Sequence, residues 1–296
     1  MIRRISHEIL ERLLRGELDY ERDLRTLRHH LALAKEFSDL SLAGQLEFTL
    51  GFAENEIGNV GSAESYWRAA YHTYERLGDM SGMAGVQNHL GELYFRLSNH
   101  AKALAAYLHA RELAEQIGDT EIINRVEGNL GFLWLAEDKL LDAQICFSLV
   151  VAVTQYETWQ HIYSLISAHR GLAEVYRAMG RFDDAWREVR EAHFLAEGRG
   201  LKLPLAQTYI TKAHIAQDSA QPADEFYTQG RALVRAYGNP LILAQMLVSE
   251  ARYQHGKHRP DQARALAMEA RELVAKLGLA DAIRRIDAVL AGFDEA

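Results

Sequence analysis

A chain of 296 residues with a formal net charge of −8, 48% hydrophobic content and one cysteine excludes several classes at once. It is too acidic for a broadly basic nucleic-acid surface, and a lone cysteine forms no internal disulfide. No apolar run approaches a membrane span, and the first eight residues form no apolar signal segment, so a reducing, cytoplasmic setting is expected.

From about residue 41 a forty-residue beat organises the chain. Gly78, Gly118, Gly238 and Gly278 fall on it, Gly198 keeps it, and Thr158 breaks it. A repeated helix end that needs positive φ explains glycine at so long a period. Each unit reads as two helices. The first is marked by leucine before a small residue, at Leu50-Gly51, Leu90-Gly91, Leu130-Gly131 and Leu172-Ala173. Three residues on stands an aromatic, Tyr94, Trp134 or Tyr176, on the same face as the small residue. The two helices join near Gly58, Ser98, Asp138 and Gly180. The second helix carries alanines seven apart, as in Ala63 and Ala70, Ala103 and Ala110, Ala185 and Ala192, and Ala263 and Ala270. Four after the first small residue sits a bulky one: Trp67, Tyr107, Phe147, Val189 or Tyr227. A knob between two holes is what helix-on-helix packing requires.

The third unit departs from the beat. The leucine–small pair moves from 131 to 173, and the interval from Ala185 to Ala223 shortens to 38. Tyr156, Trp159 and Tyr163 crowd this uncapped joint, which is either a bulky core joint or an exposed contact for a second copy or a partner. Further on, Pro204, Pro222, Pro240 and Pro260 read as successive helix starts. Residues 281–296 read as a final helix covering the last apolar face, and residues 1–20 as its counterpart at the other end.

No motif carries chemistry. Gly128-Asn129-Leu130-Gly131 lacks the lysine of a phosphate-cradling loop. His255 and His258 have no acidic or cysteine companion for a metal. Asp183-Asp184 and Asp224-Glu225 fall in the first turns of second helices, where negative charge meets the helix dipole. Cys146 sits on a core stripe. No catalytic residue, cofactor or metal is expected.

In the best unit, Ala173, Tyr176, Gly180, Phe182, Ala185, Val189 and Ala192 follow a pattern of small, aromatic and glycine positions that resembles the tetratricopeptide repeat family. The forty-residue period is similar to the long-helix variants of kinesin light chains and bacterial regulatory proteins. The resemblance implies an all-α, right-handed solenoid of about seven antiparallel helix pairs plus a C-terminal capping helix. Residues 1–40 would be a degenerate first pair, with Tyr20 and Leu27 in place but Glu11 and Asp23 at small positions. Residues 41–280 would be the solenoid and 281–296 the cap.

The resemblance also implies that first helices line the concave face. The side chains expected there are Phe48, Phe52 and Asn55; Asn88, Glu92 and Phe95; Gly128, Phe132 and Leu135; Arg170, Glu174 and Arg177; Thr208, Lys212 and Ile215; and Val248, Arg252 and His255. Arg96, Arg125 and Asn129 project nearby. Asn88 and Asn129 can pair both donor and acceptor with an extended peptide. Arg125, Arg170, Arg177, Lys212 and Arg252 make the second half basic, suited to carboxylates or phosphates, while Phe48, Phe52, Phe132 and Leu135 make the first half apolar. The expected function is a non-enzymatic scaffold or adaptor that binds a protein or peptide segment with acidic and apolar parts. The alternative is a ligand-responsive regulator; an enzyme would need perturbed titratable groups clustered in a closed pocket. Nucleic acid and membrane are not expected partners, and a homodimer is one reading of the third joint.

Overall fold

A computed structural model describes residues 8–9, 19–154 and 159–293. The described residues form fourteen helices and no strand. They are α1 (Tyr20–Glu36), α2 (Leu40–Glu56), α3 (Val60–Leu77), α4 (Met80–Arg96), α5 (His100–Ile117), α6 (Thr120–Ala136), α7 (Leu140–Val153), α8 (Trp159–Ala178), α9 (Phe182–Glu197), α10 (Lys202–Asp218), α11 (Asp224–Tyr237), α12 (Pro240–Gly256), α13 (Pro260–Lys276) and α14 (Ala280–Gly292). From α2 onward they alternate as first and second helices of antiparallel pairs, joined by turns of a few residues. The fold is an all-α helical-repeat solenoid. None of the described helices is long and apolar enough to cross a membrane.

The beat is finer than forty. Positive φ recurs at Ser38, Gly58, Gly78, Ser98, Gly118 and Asp138, then at Gly180, Gly200, Ala220, Gly238, His258 and Gly278. Every helix end along this series turns the same way, whatever the residue type. At eleven of these twelve turns the amide beyond the turn reaches back to the helix, as in Asp79 N–H to the Tyr74 carbonyl at 2.9 Å and Asn99 N–H to Tyr94 at 2.8 Å. Such bonds satisfy otherwise orphaned helix carbonyls. One detail departs from expectation. Gly198 has φ −60° and lies in the helical region, so Gly200 makes the turn. The side chains of Asp39, Asp79, Asp119 and Asn239 cap the next helix, accepting from the amides of Leu42, Gly82, Ile122 and Ile242 at 2.9–3.1 Å. Pro240 and Pro260 open α12 and α13, and Pro204 lies in the first turn of α10, but Pro222 precedes α11 by two residues.

The chain divides into two compact units, 1–164 and 165–296, with the boundary inside α8. The expected division at residues 40 and 280 does not coincide with it. In the first unit, small residues on first helices receive large rings from second helices. A Cβ on Gly51 would lie 2.4 Å from Trp67, on Gly91 2.5 Å from Tyr107, and on Gly131 2.7 Å from Phe147. All three rings are fully buried. In the second unit the same positions hold Ala173 beside Val189, Ala213 beside Tyr227, and Ala251 beside Ala267. Ile283, Ile286 and Leu290 of α14 join the cluster formed by α12 and α13.

Candidate functional site

The turn series fixes which first-helix residues are equivalent. Six residues before each turn stand Phe52, Glu92, Phe132, Glu174, His214 and Arg252. This corrects the register expected for α10. Thr208 and Ile215 are fully buried core residues, and Lys212 lies over the Tyr209 ring at 5.2 Å, where Glu197 of α9 also acts on it. The two-residue shortening falls in the longer turn before α11, not in α10, so His214 takes the place that Lys212 was expected to hold.

In the first unit α2, α4 and α6 place a carboxylate among aromatic rings. Phe52 meets Phe48 at 5.2 Å, His89 at 4.3 Å and the buried Trp67 at 5.8 Å. Phe132 packs edge-on against Phe147 at 4.8 Å. Glu92 accepts from Asn88 at 2.9 Å and Asn129 at 3.0 Å, and meets His89 Nδ1 at 3.1 Å. Burial pushes the Glu92 carboxyl up, but His89, Asn129 and Arg125 outweigh it and hold it at about 2. The side chain is still 36% exposed. Arg96 donates to Asn55, and Arg125 lies 3.7 Å from Glu121. The Nε–H groups of both arginines are buried without an acceptor among the described residues.

Two expectations change here. Asn88 is fully buried and its amide is consumed internally, its oxygen accepting from Asn129 at 2.9 Å. Asn129 therefore spends its amide N–H groups on Asn88 and Glu92, so neither asparagine keeps a donor for a peptide backbone, while the Asn129 side chain stays partly exposed. Asn55 is buried too, leaving Phe48, Phe52, Glu92, Arg96, Arg125 and Phe132 partly exposed.

In the second unit α8, α10 and α12 carry a polar chain. Arg177 binds Glu174 at 2.7 Å and also pairs with Asp218. His214 Nδ1 lies 3.1 Å from Glu174 Oε1, and its Nε2 lies 2.8 Å from Ser249 Oγ. The Tyr227 hydroxyl is 3.0 Å from the same Ser249 oxygen. Burial raises the Glu174 carboxyl, but His214 and Arg177 bring it down to about 2. Burial lowers Arg170, against the pull of Glu174. The expected basic half is therefore largely neutralised. Of its arginines, Arg252 is the exposed one, and it makes no ion pair among the described residues.

His89, His214, Asp218 and Ser249 were missed from the sequence. His214 was hidden because Ala220, a non-glycine, makes the turn from which its position is counted. At the third joint, Tyr156 and Thr158 lie outside the described residues, as does the Trp159 side chain. Tyr163 is partly buried, with its phenol raised by that burial. No group of three or more His, Cys, Asp or Glu among the described residues is placed to hold a metal. Cys146 is buried and its thiol is pushed up to about 12 by burial.

The sequence matches no protein-family model and no curated protein. Solved structures do match. The Rap conjugation gene regulator of plasmid pLS20, in complex with the Phr* peptide, is similar with a TM-score of 0.71 at 14% identity, over 92% of this chain and 72% of that one. Aspartyl phosphate phosphatase F from Bacillus subtilis is similar at 0.68 and 15% identity, over 88% and 68%. A tetratricopeptide repeat protein from Parabacteroides merdae is similar at 0.51 and 15% identity, over 99% and 98%. At these identities the likeness is one of fold, a tetratricopeptide-type helical repeat.

Proposed function

We propose that the first-helix faces of the first unit form a groove that binds a peptide or protein segment with an apolar and an acidic part, as a cytoplasmic adaptor. The observation that carries this reading is the company kept by two guanidinium groups that are only partly paired. Arg96 and Arg125 retain buried donors without acceptors among the described residues, on the same set of helices as the partly exposed Phe48, Phe52 and Phe132. A buried donor left unmade is costly, and a carboxylate supplied from outside removes that cost. The Phr* peptide bound by a regulator of the same fold supports the peptide as the class of ligand.

A ligand-responsive regulator is the second reading. It is favoured by the ties that run between repeats on the binding face, Arg96 to Asn55, Asn129 to Glu92 and His214 to Glu174. A ligand that displaces one of them acts on the packing of adjacent pairs. The test is selection of a displayed random peptide library against the full chain, followed by affinity measurement. Phe52→Ala with Arg125→Ala should weaken the selected peptides about 30-fold or more, the scale of an anchor worth about 2 kcal/mol. A library that yields no binder, or binders indifferent to those substitutions, overturns the reading. Small-angle scattering with and without the selected peptide separates regulator from adaptor.

A further inference from the structure

The hydrogen bonds of the second unit run in one direction. Glu174, held ionised, can only accept, so the proton at 3.1 Å belongs to His214 Nδ1. In the neutral ring Nε2 is then an acceptor, and Ser249 Oγ–H donates to it at 2.8 Å. With the Ser249 proton so directed, its Oγ is left to accept from the Tyr227 hydroxyl at 3.0 Å. A hydroxyl within reach of an imidazole, itself oriented by a carboxylate on its other nitrogen, is the arrangement that activates a serine nucleophile. The three residues come from consecutive first helices, α8, α10 and α12. Glu174 is buried, while the other two remain open to solvent: the His214 side chain is 31% exposed and Ser249 is partly exposed.

We propose that Ser249 is an acylatable serine, with His214 as its general base and Glu174 as the group that orients the imidazole. The substrate class follows from what the site lacks. Ser249 lies inside α12, so its own N–H is spent in the helix and supplies no oxyanion donor. Tyr227 is fully buried and serves the serine oxygen. Arg252, one turn further on the same face, is the exposed cation available to a developing oxyanion. With so little stabilisation, only acyl groups with good leaving groups react, which means thioesters and aryl esters.

In the step itself, Ser249 Oγ bonds to the acyl carbon while its proton passes to His214 Nε2. The tetrahedral adduct breaks its bond to the leaving thiolate or phenolate, which takes that proton from His214. Water then attacks the Ser249 ester, giving its proton to His214 and releasing the carboxylic acid, and the proton returns to Ser249. No electron transfer is involved.

The test uses the full chain with a fluorophosphonate probe, the modified residue located by mass spectrometry, and with para-nitrophenyl acetate, followed by phenolate release. Ser249 should be labelled ahead of the other serines, and phenolate release should show a burst that Ser249→Ala removes. His214→Gln and Glu174→Gln should slow labelling about 100-fold, the scale of a general base. Wild-type Ser249 labelled no faster than the other serines overturns the proposal without recourse to any variant. So does labelling unaffected by His214→Gln in a protein whose helical circular dichroism is unchanged. Peptide affinity is measured separately, so the binding reading stands or falls on its own.

Discussion

The two units solve the same packing problem with opposite residues. In the first, glycines at 51, 91 and 131 let Trp67, Tyr107 and Phe147 press against the backbone of the facing helix. In the second, alanines at 173, 213 and 251 meet smaller or differently placed partners. The binding faces differ in parallel. In the first unit Glu92 is held by Asn88, His89 and Asn129, and His89 also packs against the Phe52 ring, whereas in the second a relay of Arg177, Glu174, His214 and Ser249 joins three helices. The first unit gains cohesion from aromatic area, which needs glycine to make room; in the second, alanine replaces glycine beside Val189 and even beside the buried Tyr227 ring, whose hydroxyl joins the hydrogen-bond chain.

The sharpest way to break this comparison is to exchange the packing. Gly91→Val should cost about 3 kcal/mol, because Tyr107 is buried and cannot move away. Its urea midpoint measures that loss. Gly91→Ala with Tyr107→Val copies the Ala173–Val189 pair and should be more stable than Gly91→Val. If Gly91→Val unfolds at the wild-type midpoint, the close approach is not what holds the first unit together.

Acid should weaken both units by a common mechanism. Glu92 and Glu174 have folded values near 2, below the ordinary 4.5. A depressed carboxylate stabilises the fold above its unfolded value, and that stability is lost as pH falls through the folded one. Stability should therefore decline between about pH 4.5 and pH 2, and Glu174→Gln should flatten the decline. An unchanged pH profile in that variant would show that the relay carries no net stability.

The smallest effects concern the caps. Asp79→Ala removes the bond to the Gly82 amide and should cost about 1 kcal/mol. Leu201, the residue before α10, makes no such side-chain bond. Leu201→Asp should therefore raise thermal stability by about 0.5–1 kcal/mol, bringing that helix start into line with those of α2, α4 and α6.

The repeat, the helix pairs and the small–large packing were legible because they recur, and recurrence reveals a rule that a single instance hides. Ser98 and Asp138 were recognisable as joints by interpolation. Ala220 and His258 were not, since neither residue type announces a left-handed turn. That one gap displaced the α10 register by two residues and concealed His214. The asparagines illustrate a different limit. Asn88 has the composition of a peptide-binding residue, yet Glu92 lies one turn away and captures it. Spacing gives the face a side chain occupies; it does not say which neighbour takes its hydrogen bonds.

The alternation of helices, the positions of most turns and the residues that fill the core can be read along the chain, because backbone conformation and apolar periodicity are local properties. Only the tertiary structure decided which charges are spent and which are left. Glu174, His214 and Ser249 are thirty-five to forty residues apart, and nothing local brings them together. Their hydrogen bonds exist because three repeats stack in register, and that register depends on where the chain regains its two displaced residues.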